Sequence, residues 1–170
     1  MRSAAVFVVT GILWFVDGAL IKLGADYMDP RRLIDYAAIY VFSASLLSLA
    51  FALPLLGRLS SRGFVGRAGL VGGVGAGAAS IVNVLEDGLN IEWMFLPFVV
   101  GISVVTFSSL VMTIGFAAFG RGWARLLGIV PLGATIGAQG LLGSVFALTV
   151  WLVGAAFVVH RRRAAQNQPS

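Results

Sequence analysis

The sequence contains no cysteine, a single lysine (Lys22) and a single histidine (His160) in 170 residues. Without cysteine there are no disulfides, no thiolate metal sites and no cysteine nucleophile. His160 stands beside an arginine triplet, far along the chain from every carboxylate, so no histidine metal cluster and no Ser-His-Asp arrangement can be built. The glycines lack the Lys-Ser/Thr pair that completes a phosphate-binding loop. We therefore expect no enzyme, no catalytic residue, no metal centre and no cofactor.

Charge is also scarce, because only 11% of the residues are charged and 59% are apolar. A soluble domain has about 25% charged and roughly 45–50% apolar residues, so 19 charges (12 basic and 7 acidic) are too few to cover a soluble surface. The net charge of +5 would suggest nucleic acid in a soluble protein. Here the arginines flank apolar runs, so we predict a lipid bilayer as the partner and no nucleic acid. The length suits one membrane domain over residues 1–170.

What the sequence does contain is long apolar runs, and about 20 such residues cross the roughly 30 Å of bilayer hydrocarbon as a helix. We predict an all-α, polytopic transmembrane helix bundle with six spans, at 4–21, 35–56, 65–85, 93–119, 126–138 and 141–159. The first run resembles a signal peptide, but it has no small-x-small cleavage site before Asp17, so we expect it to be retained as a span. Asp29 and Pro30 predict the start of the second helix as its N-cap and first residue.

The final apolar stretch, residues 126–159, has two interpretations. As one helix its 34 residues would extend about 51 Å, far more than a bilayer needs. Pro131 and the run from Gly137 to Gly140 favour a turn, which divides the stretch into a short fifth helix and a sixth. The fifth is marginal in length, so a re-entrant hairpin stays open as the alternative.

The distribution of charge decides between five and six spans. Six spans with an internal N-terminus place nine of the twelve basic residues inside: Arg2, Arg58, Arg62, Arg67, Arg121, Arg125, Arg161, Arg162 and Arg163. All seven acids then lie outside: Asp17, Asp26, Asp29, Asp35, Glu86, Asp87 and Glu92. Arginine and lysine in short loops stay on the cytoplasmic side. We therefore predict a multi-pass protein of the cell membrane with both termini in the cytoplasm.

Small residues predict where the helices pack. Gly69, Gly73 and Gly77 recur every four residues in the third span, and Gly133 and Gly137 repeat the spacing in the fifth. In lipid, close packing at small residues holds helices together. These glycines are predicted to form packing faces, either within the bundle or against a membrane protein partner or a second copy; a flexible hinge is the alternative.

Asp17 is the residue that most directly suggests a function, because a carboxylate at membrane depth is costly and points to a functional site. The alternative is that Asp17 lies near the interface, where it pairs with Lys22 or reaches water.

A second group of polar residues falls near the outer ends of the second and third spans. It consists of Tyr36, Tyr40, Asn83, Glu86 and Asp87. Adjacent carboxylates there could coordinate a hard cation or take part in proton coupling. The alternative is that these acids are helix-end residues in water. If the group converges with Asp17, it forms a polar pocket for a small molecule or cation from the outer side.

Two functions remain from the sequence. The first is a small transporter, or the membrane subunit of one, with an outward-facing polar pocket. The size and helix count are similar to the substrate-binding membrane subunits of energy-coupling-factor vitamin transporters, although the Ala-x-x-x-Ala motif of their first helix is absent. The second is a non-catalytic membrane component that assembles with a partner through its glycine faces.

Overall fold

The chain folds as a helical bundle. The computed structural model describes residues 2–27, 29–137 and 140–166, and within these ranges there is no β-strand. The α-helices are α1 (Arg2–Lys22), α2 (Leu33–Gly57), α3 (Gly63–Asn83), α4 (Phe95–Phe119), α5 (Gly133–Ile136) and α6 (Gly140–Gln166).

Among the described residues, five helices are long and apolar enough to cross a membrane: Ser3–Lys22, Leu33–Gly57, Gly63–Gly88, Glu92–Phe119 and Gly140–Ala164. They match five of the six apolar runs, because each run is long enough to satisfy its backbone hydrogen bonds as one helix. The third extends past α3 through a π-helical turn, Val84–Gly88, and the fourth begins with a short 3₁₀ helix, Glu92–Met94.

The start of α2 differs from the prediction. The helix begins at Leu33 with Arg32 as its N-cap, three residues after Pro30, so the assignment of Asp29 as N-cap was wrong. The side chain of Asp35, in the first turn, accepts from the backbone N–H groups of Arg31 and Arg32 and so fixes the start there.

The fifth predicted span, 126–138, is not one continuous helix. A 3₁₀ helix covers Gly122–Ile129 and is followed by a turn and the four-residue α5, while Ala138 lies outside the described residues. Pro131 lies in the turn between them, where a residue without a backbone N–H does not interrupt a helix. The segment Gly122–Ile136 is apolar but shorter than the five long helices.

The helices pack in a closed ring. Each contacts its neighbour in chain order from α1 to α4, the segment Gly122–Ile136 lies between α4 and α6, and α6 returns to α1. One end of the bundle, the arginine end, carries a cavity of about 910 Å³ whose lining includes Arg58, Arg62, Arg121 and Arg161.

Both ends of the described chain meet at the arginine end, where Arg162 Nη2 donates to Ser3 Oγ at 3.3 Å. The opposite end, the acidic end, contains the connection between α1 and α2 and that between α3 and α4. The start of α6 also lies there, because a Cβ on Gly18 of α1 would meet Ser144 and Gly140. The segment Gly122–Ile136 therefore runs from the arginine end towards the acidic end.

The glycines of α3 hold it against α2. A Cβ on Gly69 would lie 2.5 Å from the carbonyl oxygen of Leu53, and one on Gly73 would lie 2.7 Å from Cγ of Pro54. Gly77 is less tightly packed, since its Cβ would lie 3.5 Å from that of Ala50. The glycine spacing thus forms an internal contact that is closest near the arginine end.

Gly133 and Gly137 make room for the two buried indoles. A Cβ on Gly133 would lie 2.9 Å from Nε1 of Trp151, and one on Gly137 would lie 2.8 Å from Cε3 of Trp14. Trp14 and Trp151 are 1% and 0% exposed. These glycines let the irregular segment approach α1 and α6 without a span-length helix.

Candidate functional site

The acidic end contains a cavity of about 240 Å³ between α1, α2, α3 and α4. Its lining consists of Asp17, Ile21, Tyr27, Phe42, Asn83, Asp87 and Phe98. The structure therefore brings together Asp17, Asn83 and Asp87, three of the six residues singled out in the sequence as ligand-binding candidates.

Asp17 is completely buried in α1. The hydroxyl of Tyr27 donates to Asp17 Oδ1 at 2.5 Å, while Oδ2 is buried without a hydrogen-bond partner. Lys22 lies one turn further along and is exposed, and no Asp17–Lys22 ion pair occurs among the described residues. Asp17 is therefore not paired with Lys22 as the alternative supposed; it is a buried residue in the lining of the cavity.

Tyr27 was not among the predicted site residues. It lies in the connection between α1 and α2, and its hydroxyl contacts Asp17. Burial, then the hydrogen bond to Asp17 and the negative charges of Asp17 and Asp87, raise the pKa of Tyr27 above its ordinary value. Tyr27 therefore keeps its proton and remains a donor. The only signal in the sequence was an aromatic residue within a short acidic connection.

Asn83 is held by a polar contact between α2 and α3. Its Nδ2 donates to Ser43 Oγ at 2.9 Å, and Ser80 Oγ donates to the backbone oxygen of Ser43 at 2.7 Å. Asn83 is 1% exposed. Because its amide nitrogen donates to Ser43, Asn83 has its side-chain oxygen, Oδ1, as the acceptor it could offer to a ligand.

Asp87 and Glu86 separate at the π-helical turn. Both lie in the turn Val84–Gly88, but Asp87 lines the cavity and Glu86 does not. A π turn inserts one residue into the helical register, and such turns are frequent at functional sites.

Tyr36 and Tyr40 lie away from the cavity. They are 39% and 49% exposed and do not line the cavity, so the two tyrosines among the ligand-binding candidates do not converge with Asp17. Tyr40 instead lies beside the π-helical turn, since a Cβ on Gly88 would lie 3.7 Å from its hydroxyl oxygen.

Aromatic rings form the remaining walls. The ring centroid of Phe42 lies 6.1 Å from that of Tyr27 and 6.3 Å from that of Phe98. Trp14 packs edge-on against Phe42 at 5.8 Å behind this wall. Single phenylalanines in apolar spans carry no sequence signal for a site, so Phe42 and Phe98 could not be predicted.

The connection that carries Tyr27 is anchored by Asp35. This carboxylate, 1% exposed, accepts from the backbone N–H of Asp26 at 3.0 Å and from those of Arg31 and Arg32 at 3.1 and 2.8 Å. It also pairs with the Arg32 guanidinium at 2.7 Å, and this hydrogen bond raises the pKa of Arg32. Arg32 Nη2 in turn donates to the carbonyl oxygen of Gly24. Asp35 thus has a structural role beside the cavity.

The cavity combines carboxylates, an amide and aromatic side chains, and none of its described lining residues is basic. Such a set suits a positively charged or strongly donating ligand. No group of three His, Cys, Asp or Glu residues suited to a metal ion occurs within the described ranges. No family model, curated protein or solved structure matches this chain.

Proposed function

We propose that this protein is a small multi-pass transporter of the cell membrane, or the membrane subunit of one, that binds its ligand from the outer side in the Asp17 cavity. The observation that carries the proposal is the unpartnered Asp17 Oδ2 at a cavity that Asn83 and Asp87 also line.

The energetics of a buried carboxylate support this proposal. An ionised group away from water is costly unless it is paired, and Asp17 has one donor, Tyr27, for two oxygens. The hydrogen bond from Tyr27 accounts for Oδ1 but leaves Oδ2 without a partner, so this contact alone does not explain the acid in α1. A ligand that pairs with Oδ2 supplies a reason for the acid.

The outward orientation belongs to the proposal. We propose six crossings with both termini cytoplasmic, the sixth crossing being made by the short segment Gly122–Ile136. Two features support it: the clustering of arginines at one end, which the positive-inside rule assigns to the cytoplasm, and the meeting of Ser3 with Arg162 at that same end. The acidic end and its cavity then face outwards.

Cysteine labelling tests this orientation on a background free of native cysteine. In intact cells we expect a membrane-impermeant maleimide to label Leu89→Cys, whose residue is exposed at the acidic end. It should label Ser61→Cys and Gln166→Cys only after permeabilisation. Labelling of Gln166→Cys from outside, with the other two as expected, would mean five crossings and would overturn the six-span topology.

The alternative function, assembly with a partner through glycine faces, has less support. Gly69 and Gly73 are covered by α2, and Gly133 and Gly137 by the indoles of Trp151 and Trp14. These faces are therefore already used within the chain, and a partner would need a different surface.

Uptake into proteoliposomes tests the transport proposal. The radiolabelled probes cover each charge class: the cations methylammonium and rubidium, neutral glucose, zwitterionic glycine and the anion acetate. At least one probe should accumulate above empty liposomes. Asp17→Asn should lower that accumulation at least about tenfold, because losing one partner of a buried charge pair costs about 2 kcal/mol or more.

Glu92→Gln is the matched control, since Glu92 is an exposed acid at the same end and does not line the cavity. Its uptake should equal that of the unaltered protein. If no probe exceeds the empty-liposome level, transport by this chain alone is refuted. If Asp17→Asn and Glu92→Gln transport equally well, the Asp17 site is refuted.

A further inference from the structure

The cavity at the acidic end selects its ligand by charge. Asp17 and Asp87 contribute carboxylates, Asn83 contributes an amide, and none of the seven lining residues is basic. An anion would face two carboxylates without a partner, and a zwitterion would leave its own carboxylate unpaired. Both alternatives cost more than the binding of a cation, because unpaired charges in a desolvated site are strongly unfavourable.

The aromatic walls distinguish an organic cation from a metal ion. Tyr27, Phe42 and Phe98 come from the α1–α2 connection, α2 and α4, and their neighbouring ring centroids lie 6.1 and 6.3 Å apart. Ring faces attract ammonium and alkylammonium groups through their quadrupole, and they solvate the attached carbons at the same time. A hard metal ion instead needs six or more oxygen ligands, whereas Asp17 Oδ2, Asn83 Oδ1 and the two carboxylate oxygens of Asp87 make only four.

Only one of the two carboxylates is completely buried, because Asp17 is 0% exposed and Asp87 is partly exposed, so the site favours a single positive charge at Asp17. Tyr27 occupies Oδ1 of Asp17, and the buried Oδ2 remains as the acceptor. Asn83 is fixed through Ser43 with its carbonyl oxygen left to accept. The cavity measures about 240 Å³, below the roughly 300–1,000 Å³ that drug-sized ligands occupy, so the ligand has few carbon atoms.

We propose that the ligand of this cavity is a small monovalent organic cation, either a protonated primary amine or a quaternary ammonium. Its charge pairs with Asp17 and its carbons contact Phe42 and Phe98. This inference rests on the proposed function for its site and orientation, and it adds the chemical class of the ligand.

Binding to the purified full chain in detergent micelles provides the test, read from the ligand-dependent rise in the thermal unfolding midpoint. The probes are tetramethylammonium and ethylammonium, with sodium, the zwitterion glycine betaine and the neutral tert-butanol as comparisons. We expect both alkylammonium ions to stabilise the protein in a saturable way and the comparisons to stabilise it far less. This comparison needs no variant, so it stands even where a variant fails to fold.

Two variants with matched controls then locate the ligand. Asp17→Asn should weaken alkylammonium binding at least about tenfold, whereas Glu86→Gln, next to the cavity but outside its lining, should leave it unchanged. Phe98→Leu should weaken binding about five- to tenfold, because it keeps an apolar contact and loses the ring face. Phe107→Leu, on the lipid-facing surface of α4 at 70% exposure, should have no effect.

Each remaining outcome has its own meaning. Saturable stabilisation by sodium alone would overturn the organic-cation class while leaving the pocket in place, and so would equal binding of tert-butanol or glycine betaine. Asp17-dependent uptake of glucose or acetate would likewise refute the class and keep the transporter. Asp17-dependent binding of tetramethylammonium without uptake of any probe would keep the ligand class and refute transport by this chain alone.

Discussion

Replacing Gly73 with leucine is expected to destabilise the folded protein by at least about 2 kcal/mol. A Cβ at this position would lie 2.7 Å from Cγ of Pro54 and 2.9 Å from the carbonyl oxygen of Ala50. Both are parts of α2 that cannot rotate away, since one is a proline ring within the helix and the other is backbone. The two helices must therefore move apart. Thermal or denaturant unfolding in mild detergent measures the loss.

Alanine at the two ends of the same glycine stripe provides the matched control. Gly69→Ala should destabilise, because its Cβ would lie 2.5 Å from the Leu53 carbonyl oxygen. Gly77→Ala, with 3.5 Å to the Cβ of Ala50, should be neutral or stabilise by up to roughly 1 kcal/mol, since alanine favours the helix over glycine. Equal effects of the two alanines would contradict the close contact between α2 and α3, and so would an unaltered stability of Gly73→Leu.

The same contact between helices positions the cavity. Ser43 of α2 holds Ser80 and Asn83 of α3, so a change in the spacing of these helices moves the Asn83 amide. Gly73→Leu should therefore weaken ligand binding as well as stability, although Gly73 does not line the cavity. A site formed between transmembrane helices depends in this way on packing about two to three turns away.

Much of the helical architecture could be predicted from hydrophobic length. Five of the apolar runs form helices long enough to span, because such runs in lipid leave the backbone no alternative to helix. The structure of the segment Gly122–Ile136 could not be predicted in the same way. Its apolar composition matches a span, but the structure has a 3₁₀ helix and a turn at Pro131 instead. Gly133 and Gly137 of this segment pack against the indoles of Trp151 and Trp14. Those contacts join residues far apart in the sequence.

Some residues of the candidate site could be predicted from the sequence and others could not. Asp17, Asn83 and Asp87 could be singled out because polar residues in apolar helices are expensive, and the structure places them at one cavity. Tyr36 and Tyr40 share a helical face but do not line the cavity, because periodicity shows which residues share a face and not which helix that face packs against. Tyr27 lies in a connection, where no period constrains the side chain, and its contact with Asp17 requires the connection to be folded.

That folded connection leads to the second large effect, which we expect from Asp35→Ala. The change removes the acceptor of three backbone N–H groups, those of Asp26, Arg31 and Arg32, and the ion pair with the Arg32 guanidinium. Donors left without an acceptor in a partly buried segment are costly. We expect the thermal unfolding midpoint to fall by at least about 5 °C.

Asp29→Ala is the control, because its ion pair with Arg31 lies in the same connection but is exposed. The Arg31 side chain is 79% exposed and that of Asp29 is 59% exposed. Exposed pairs contribute little, so its midpoint should stay within about 1 °C. The two variants also separate anchoring from simple loss of charge, since both remove one acid from the acidic end. Similar midpoints for both would show that Asp35 does not anchor the connection.

The loss should extend from stability to ligand binding. Asp35 does not line the cavity, but it holds the connection that carries Tyr27 onto Asp17. Once the connection is released, Asp17 loses its one donor and the cavity loses an aromatic wall. We therefore expect tetramethylammonium binding to weaken in Asp35→Ala, measured below its unfolding midpoint, and to persist in Asp29→Ala. Unaltered binding in a destabilised Asp35→Ala would mean that Tyr27 reaches Asp17 without this anchor and that Asp35 serves stability alone.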